Sequence, residues 1–383
     1  MAVFVTVFSR QLHIPWSVGL IFAGALVGPF GFDLIRVDNT LTLLSEIGLL
    51  FLLFMAGLET RLSSFAEHKA HIAFYSLANM LIPALFAAGI MLFFGMSITV
   101  GFVLTVVLVS SSVAVILPAL ESHGLMHTRI GKIIIDSVVL VDVLSLVGLS
   151  MLIAHNGGET ISPMPYIAAL AVAVGVRYAL PQISRVFMNA KETVNANEQE
   201  LRVVVVLLIG MSVLFEFLGL HFVIGGFIAG LLLSETISSK HLMEKIHTLG
   251  YGFFIPIFFV LVGVQTDFSF FFASGEYMQE MLWITLAITS AAILSKMMAG
   301  YIAALLDGAS SAVGYVAGVA GIPRLSTALI AVYALGDTDS LSSETAAALV
   351  FMSIVTTVVG PLLLSHASGV LLRQQKGKGR NAV

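Results

Sequence analysis

The sequence predicts an all-α polytopic membrane protein of about thirteen spans, arranged as two inverted repeats with discontinuous crossing helices. Three observations carry that prediction. Of 383 residues, 58% are hydrophobic and only 10% are charged, against roughly 25% charged in soluble domains. Apolar runs recur along the whole chain with short polar breaks between them, a pattern that a soluble core does not explain. Two glycine-rich stretches also repeat at a fixed distance. VGLIFAGAL (Val18–Leu26) matches IGGFIAGLL (Ile224–Leu232), and FMAGLET (Phe54–Thr60) matches VLVGVQT (Val260–Thr266), both at an offset of 206 residues. Gly19 to Gly57 and Gly225 to Gly263 are each 38 residues apart, a constancy that generic glycine packing surfaces rarely keep.

In chain order the spans fall near 1–12, 14–29, 41–58, 71–94, 97–120, 128–154, 163–187, 201–218, 221–235, 247–264, 280–305, 311–335 and 344–367. The whole chain, 1–383, reads as one transporter domain. Its repeats lie near 1–154 and 201–367, with 163–187 as a linker helix and 368–383 as a short basic tail. The first stretch reaches only about 18 Å as a helix, short of the ~30 Å hydrocarbon core, so a longer upstream chain is expected. Placing the C-terminus inside puts fifteen of the eighteen Lys and Arg residues on the cytoplasmic side. Only Arg36 falls outside, and Lys296 and Arg324 lie within spans. That bias sets the orientation. The second and ninth spans then run in opposite directions, which makes the repeats inverted, as in secondary transporters. The absence of cysteine excludes disulfides, thiol catalysis and thiolate metal sites. No cleavable leader, heptad pattern or basic tract for nucleic acid is present.

The charges left in the membrane mark the candidate site, because an intramembrane ionisable group is costly and is functional by default. Asp142 lies near the middle of the sixth span and Asp136 six residues before it. In the fifth span, LVSSSVAVILPAL groups Ser110, Ser111 and Ser112 ahead of Pro118. In the twelfth, AGIPRLSTAL carries Gly321, Pro323 and Arg324. Proline removes an amide and clashes with the preceding turn, so both spans are expected to break and free polar backbone groups. Arg324 must then be paired or cap carbonyls. Lys296, about 13 Å from its helix end, is too deep to snorkel easily. Asp136 and Lys296 share a depth on the inner side of their helices, so the two are expected to pair. Glu46 and Glu216, near span ends, read as structural. His68, His71, His123, His127, His241 and His247 gather on the predicted inner side, where solvated loop histidines are the ordinary case and pH sensing is the alternative.

These residues resemble the monovalent cation:proton antiporter-2 family, the transporters with the sodium/proton antiporter fold. The resemblance covers nearly the whole chain. It is most specific in PWSVGLIFAGALVGP, LSEIGLLFLLFMAGLE, GLHFVIGGFIAG, FFIPIFFVLVGVQTD and TTVVGPLLL. It implies a homodimer in the inner membrane that exchanges protons for Na⁺, or for K⁺ or Li⁺, with the C-terminus cytoplasmic and no cofactor, enzyme activity or nucleic-acid partner. Counting from Gly131, the ion-binding aspartate of the family falls on Asp142. Ser111 and Ser112 become co-ligands, Arg324 holds the twelfth-span break, and Lys296 is the lysine that relatives pair with an acid. Two departures stand out. The family's acid or amide before the aspartate is Val141 here, and Leu325-Ser326 follow Arg324 where relatives often have Gly-Glu. Two other readings stay open: a sodium-coupled organic-anion symporter of similar fold, and a sensor or channel that has lost coupled exchange.

Overall fold

The computed structural model describes residues 16–59, 68–112, 128–156, 196–218, 222–234, 240–266, 276–335 and 341–380, with isolated positions 116, 120, 124, 125, 167, 168, 171, 175 and 220. The stretch at 1–12, Pro118, and all but four residues of the 163–187 helix lie outside the described residues. The helices are α1 (Trp16–Val27), α2 (Asn39–Glu59), α3 (Lys69–Phe94), α4 (Ile98–Val109), α5 (Arg129–Asn156), α6 (Ala196–Phe217), α7 (Phe222–Leu233), α8 (Lys240–Leu249), α9 (Ile255–Gln265), α10 (Glu276–Leu306), α11 (Ser311–Ala320), α12 (Ser326–Leu335) and α13 (Ser343–Arg380). Among the described residues, six helical runs are long and apolar enough to cross a membrane, and no strand is present.

Local chemistry sets most of the boundaries. Gly95 takes a left-handed conformation (φ 63°) and returns its amide to Met91 O, which ends α3. Ser97 then caps α4 through Oγ, which accepts from Val100 N at 3.3 Å. Gly308 (φ 69°) plays the same terminating part after α10. The run 240–265 stays helical but passes through one π-helical turn, Gly250–Phe254. Pro256 follows at once, and the wider turn relieves the clash its ring would make with the carbonyl four residues back. Helix α13 runs on past the expected end of the last span into the basic tail, as far as Arg380, and Leu371 is buried in the core.

The chain divides into two compact units. One comprises 1–35, 63–149 and 262–383, and the other 36–62 and 150–261. Each takes helices from both predicted repeats. In the first unit, α3 packs on α10 and α4, while α10, α11 and α13 pack on one another. Ile72, Ile134, Val138, Val316, Ile322 and Leu364 belong to one buried apolar cluster there. The outer faces of α3 and α10 carry exposed Leu77, Leu81, Leu85, Phe93, Trp283, Leu286 and Leu305, a surface suited to lipid rather than water.

In the second unit, α7 packs on α2 and α6. A Cβ on Gly57 would strike the backbone of Phe227 and Leu231, so the helices touch main chain to main chain, as small residues allow. The first unit contains the counterpart. A Cβ on Gly263 would strike the backbone of Ile21 and Ala25. Adding 206 to Gly57, Ile21 and Ala25 gives Gly263, Phe227 and Leu231. The sequence offset therefore recurs as a pair of reciprocal contacts, each joining a helix of one half to a helix of the other.

Candidate functional site

The site forms where two interrupted helices meet inside the first unit. Helix α4 stops at Val109, with Ser110 as its C-cap, and Ser111 and Ser112 run on outside the helix. Helices α11 and α12 are separated by the non-helical stretch Gly321–Leu325. The two stretches bond directly: Ser112 N donates to Pro323 O at 2.7 Å, and Ser111 Oγ donates to Gly321 O at 3.1 Å. Gly360 of α13 leaves room for the ring of Pro323, against which a Cβ would collide.

The last four carbonyls of a helix have no partner within it, and in a dry interior each must find one. At α4 all four do. Val106 O accepts from Ser110 N at 3.0 Å and Val107 O from Ser110 Oγ at 2.9 Å. Leu108 O accepts from Arg324 Nε at 3.1 Å and Nη2 at 2.8 Å. Val109 O accepts from Lys296 Nζ at 2.6 Å. Arg324 Nη1 also reaches Ala292 O at 2.8 Å and Ile322 O at 3.2 Å. Both cations are essentially wholly buried. They stand at the negative end of α4, where the helix dipole favours positive charge, and their bonds to carbonyls are charge-assisted.

Asp142, on α5, is buried and accepts from Thr327 Oγ1 at 3.3 Å. Thr327 is in the first turn of α12, the positive end of a helix, where a carboxylate is favoured. Ser145 Oγ donates to the main-chain oxygen of Asp142 at 2.7 Å. Ser111, Ser112, Lys296 and Arg324 thus meet at the crossover, and Asp142 joins it through Thr327.

Asp136 is buried on the same helix, but the expected pair with Lys296 does not form. The ammonium instead donates to Asn79 O at 3.1 Å and to Val109 O. Shared depth fixed the axial coordinate alone, and the open carbonyls at the end of α4 are what the ammonium reaches. Sequence reasoning missed Thr327 and Asn79. The signal for Asn79 was its place as the sole amide in an otherwise apolar span, and that for Thr327 its position one turn past Arg324.

A second polar cluster lies at other helix ends of the same unit. His71 Nδ1 meets Asp307 Oδ1 at 2.5 Å, and Arg129 Nη2 meets His71 Nε2 at 3.4 Å. Because a guanidinium only donates, Nε2 accepts and Nδ1 carries the proton toward Asp307. The three side chains, with Tyr75 and Gln374, line a cavity of about 620 Å³.

A buried carboxylate set against two buried cations at crossed helix breaks defines a class: membrane proteins that handle small ions at mid-membrane. Residues 1–367 match the family model described as sodium/hydrogen exchanger, transmembrane, and the chain belongs to that family. This broader family replaces the antiporter-2 label drawn from the motifs, while the sodium/proton antiporter assignment stands. The chain is 28% identical over 362 residues to the probable Na(+)/H(+) antiporter 3 of Methanocaldococcus jannaschii, covering 93% of this chain and 91% of that one. It is 28% identical to the Na(+)/H(+) antiporter of Enterococcus hirae, covering 94% and 93%. To the Na(+)/H(+)-K(+) antiporter GerN of Bacillus cereus it is 25% identical, covering 94% and 92%. The solved sodium proton antiporter MjNhaP1 of M. jannaschii shares the fold, with a TM-score of 0.69 at 16% identity over 97% of this chain and 94% of that one.

Proposed function

We propose that this protein is a secondary active antiporter that exchanges protons for a monovalent cation, Na⁺ first, with K⁺ or Li⁺ as alternatives. The observation that carries the reading is Asp142, a buried carboxylate held by Thr327 at the start of helix α12, beside the crossover where Lys296 caps α4. One carboxylate can hold a proton or a hard cation, and hard cations prefer oxygen ligands. Competition for that one group couples the two fluxes without a covalent step. Thr327 Oγ1 supplies a neutral oxygen beside it, and Ser111 Oγ, at the crossover, is the further candidate ligand. Alternating access would then expose the site to each side in turn. Asp136 has the part of a second acidic group on the same helix, away from the lysine.

The orientation is proposed from the basic-residue count, with the chain multi-pass in the inner membrane, its C-terminus cytoplasmic and its functional form a homodimer. The helix ends that bring His71, Arg129, Asp307 and Gln374 around one cavity all belong to the side that count makes cytoplasmic, which supports it.

The test is Na⁺-driven proton flux in proteoliposomes. Asp142→Asn keeps shape and removes the titratable group, and exchange is expected to fall to background. Exchange near the wild-type rate would sink the competition mechanism. An organic-anion symporter or an uncoupled sensor would show no Na⁺-driven proton movement even before substitution. Val141 cannot titrate, so we expect one proton per cation, and an imposed membrane potential should leave the exchange rate unchanged. A strong response to the potential would require a second titrating group in the cycle.

A further inference from the structure

Asn79, on α3, enters the site through its main-chain oxygen, which accepts from Lys296, while its side-chain amide is unused there. Its side chain is buried. Nδ2 donates to Tyr75 O at 3.0 Å, and since a carbonyl only accepts, that bond fixes which way the amide faces. Its Oδ1 then has no hydrogen-bond partner among the described residues. A buried acceptor left unmet is costly, and in a native structure it calls for an explanation. The surroundings offer one. Asn79's own main-chain oxygen receives the Lys296 ammonium. At Gly321, the position a Cβ would take is 3.1 Å from Asn79 Oδ1 and 3.0 Å from Lys296 Cδ. The orphan oxygen, the lysine stem and the interrupted stretch of the twelfth span therefore share one small space.

An ammonium has three N–H donors. Two are used, on Asn79 O and Val109 O. The third makes no bond among the described residues, and two acceptors at the crossover could take it: Asn79 Oδ1, in the same small space as the lysine stem, and the carboxylate of Asp142, which joins the crossover through Thr327.

We propose that Asn79 Oδ1 is the alternate acceptor for Lys296, a positioning residue that draws the ammonium away from Asp142 when a cation binds there. The inference rests on the reading of Asp142 as the ion site. With Asp142 charged and empty, the third N–H turns to the carboxylate. When a cation takes the carboxylate, that N–H moves to Asn79 Oδ1, so displacing the lysine leaves no donor unmet. Asn79 thereby sets how strongly lysine competes with the cation.

The experiment measures apparent Na⁺ affinity in two ways on the full-length protein: KM for Na⁺-driven proton flux in proteoliposomes, and the Na⁺ dependence of the melting temperature, which needs no turnover. Asn79→Leu removes the alternate acceptor. It should raise the Na⁺ KM about tenfold, the equivalent of one charge-assisted hydrogen bond, with kcat little changed. Asn79→Asp strengthens the acceptor and should lower the KM. In a Lys296→Met background both substitutions should lose their effect on Na⁺ affinity. The proposal is overturned if Asn79→Leu lowers kcat and stability while leaving the Na⁺ affinity within about twofold of wild type. It is equally overturned if the affinity shift persists undiminished without the lysine, or if Asn79→Asp fails to lower the KM, an arm that stands even where the leucine variant does not fold. Loss of the ion-site reading would appear elsewhere, as exchange that survives Asp142→Asn.

Discussion

Two regions of this protein bring backbone against backbone inside apolar surroundings, and they do so by opposite means. Where α2 meets α7, and again where α9 meets α1, glycine removes the side chain, and helical backbone touches helical backbone. Where α4 meets the stretch between α11 and α12, the helices are interrupted and the freed carbonyls are taken by a guanidinium, an ammonium, serine hydroxyls and an amide. The first contact is dry and chemically silent. The second concentrates Arg324 and Lys296 with a carboxylate within reach. The chain therefore keeps its intramembrane charges where helices are broken and keeps glycine where they only need to be close.

Substitutions at four positions would break or sharpen this contrast. The largest effect belongs to Arg324→Leu. It leaves Leu108 O, Ala292 O and Ile322 O without their donor, and removing one member of a buried charged arrangement costs about 3–5 kcal/mol. Little folded protein should survive extraction. Arg324→Lys should recover only part of it, because an ammonium lacks the fork that spans Leu108 and Ala292. If Arg324→Leu melts like wild type, the crossover does not depend on charge.

Next come Gly57→Leu and Gly263→Leu. Each drives atoms into facing backbone, and overpacking costs about 1–3 kcal/mol. The reciprocal geometry predicts similar losses of thermal stability at the two positions, and a clear inequality would show that the contacts are not equivalent. Na⁺ affinity should move little in whatever protein remains folded.

The smallest effect is expected from Thr327→Val, which removes the hydroxyl on Asp142 Oδ1 but keeps the shape. A loss of about 1 kcal/mol should weaken apparent Na⁺ affinity about fivefold, with melting temperature nearly unchanged. A large drop in stability with no change in affinity would make Thr327 a packing residue of α12.

Much of this was legible in the sequence, and particular residues show why the rest was not. The serine run and Pro323 announced the two breaks because their effect on the helical ladder is local. The 206-residue offset announced two related halves, and the structure adds that Gly57 and Gly263 make reciprocal contacts between them. Asp142 announced itself by its depth in an apolar span. The partner of Lys296 was another matter. Depth along two helices agreed for Asp136, but rotation about each axis and the pull of α4's open carbonyls decided otherwise. Asn79 and Thr327 carry no charge, so only the assembled structure reveals what they touch. The π-helical turn ahead of Pro256, likewise, emerges only from the backbone.

The reciprocal glycine contacts also bear on how the chain is made. Gly57 leaves the ribosome about 170 residues before Phe227, and Ile21 about 240 before Gly263. At synthesis rates of about 5–20 residues per second, α2 waits roughly ten to thirty seconds for its groove to be filled. During that interval the first half sits in the bilayer with its small-residue seams facing lipid or the insertion machinery. A nascent chain arrested near residue 200 would thus be threaded but unassembled, a ready substrate for membrane quality control, and neither half becomes a finished object until the other has been translated.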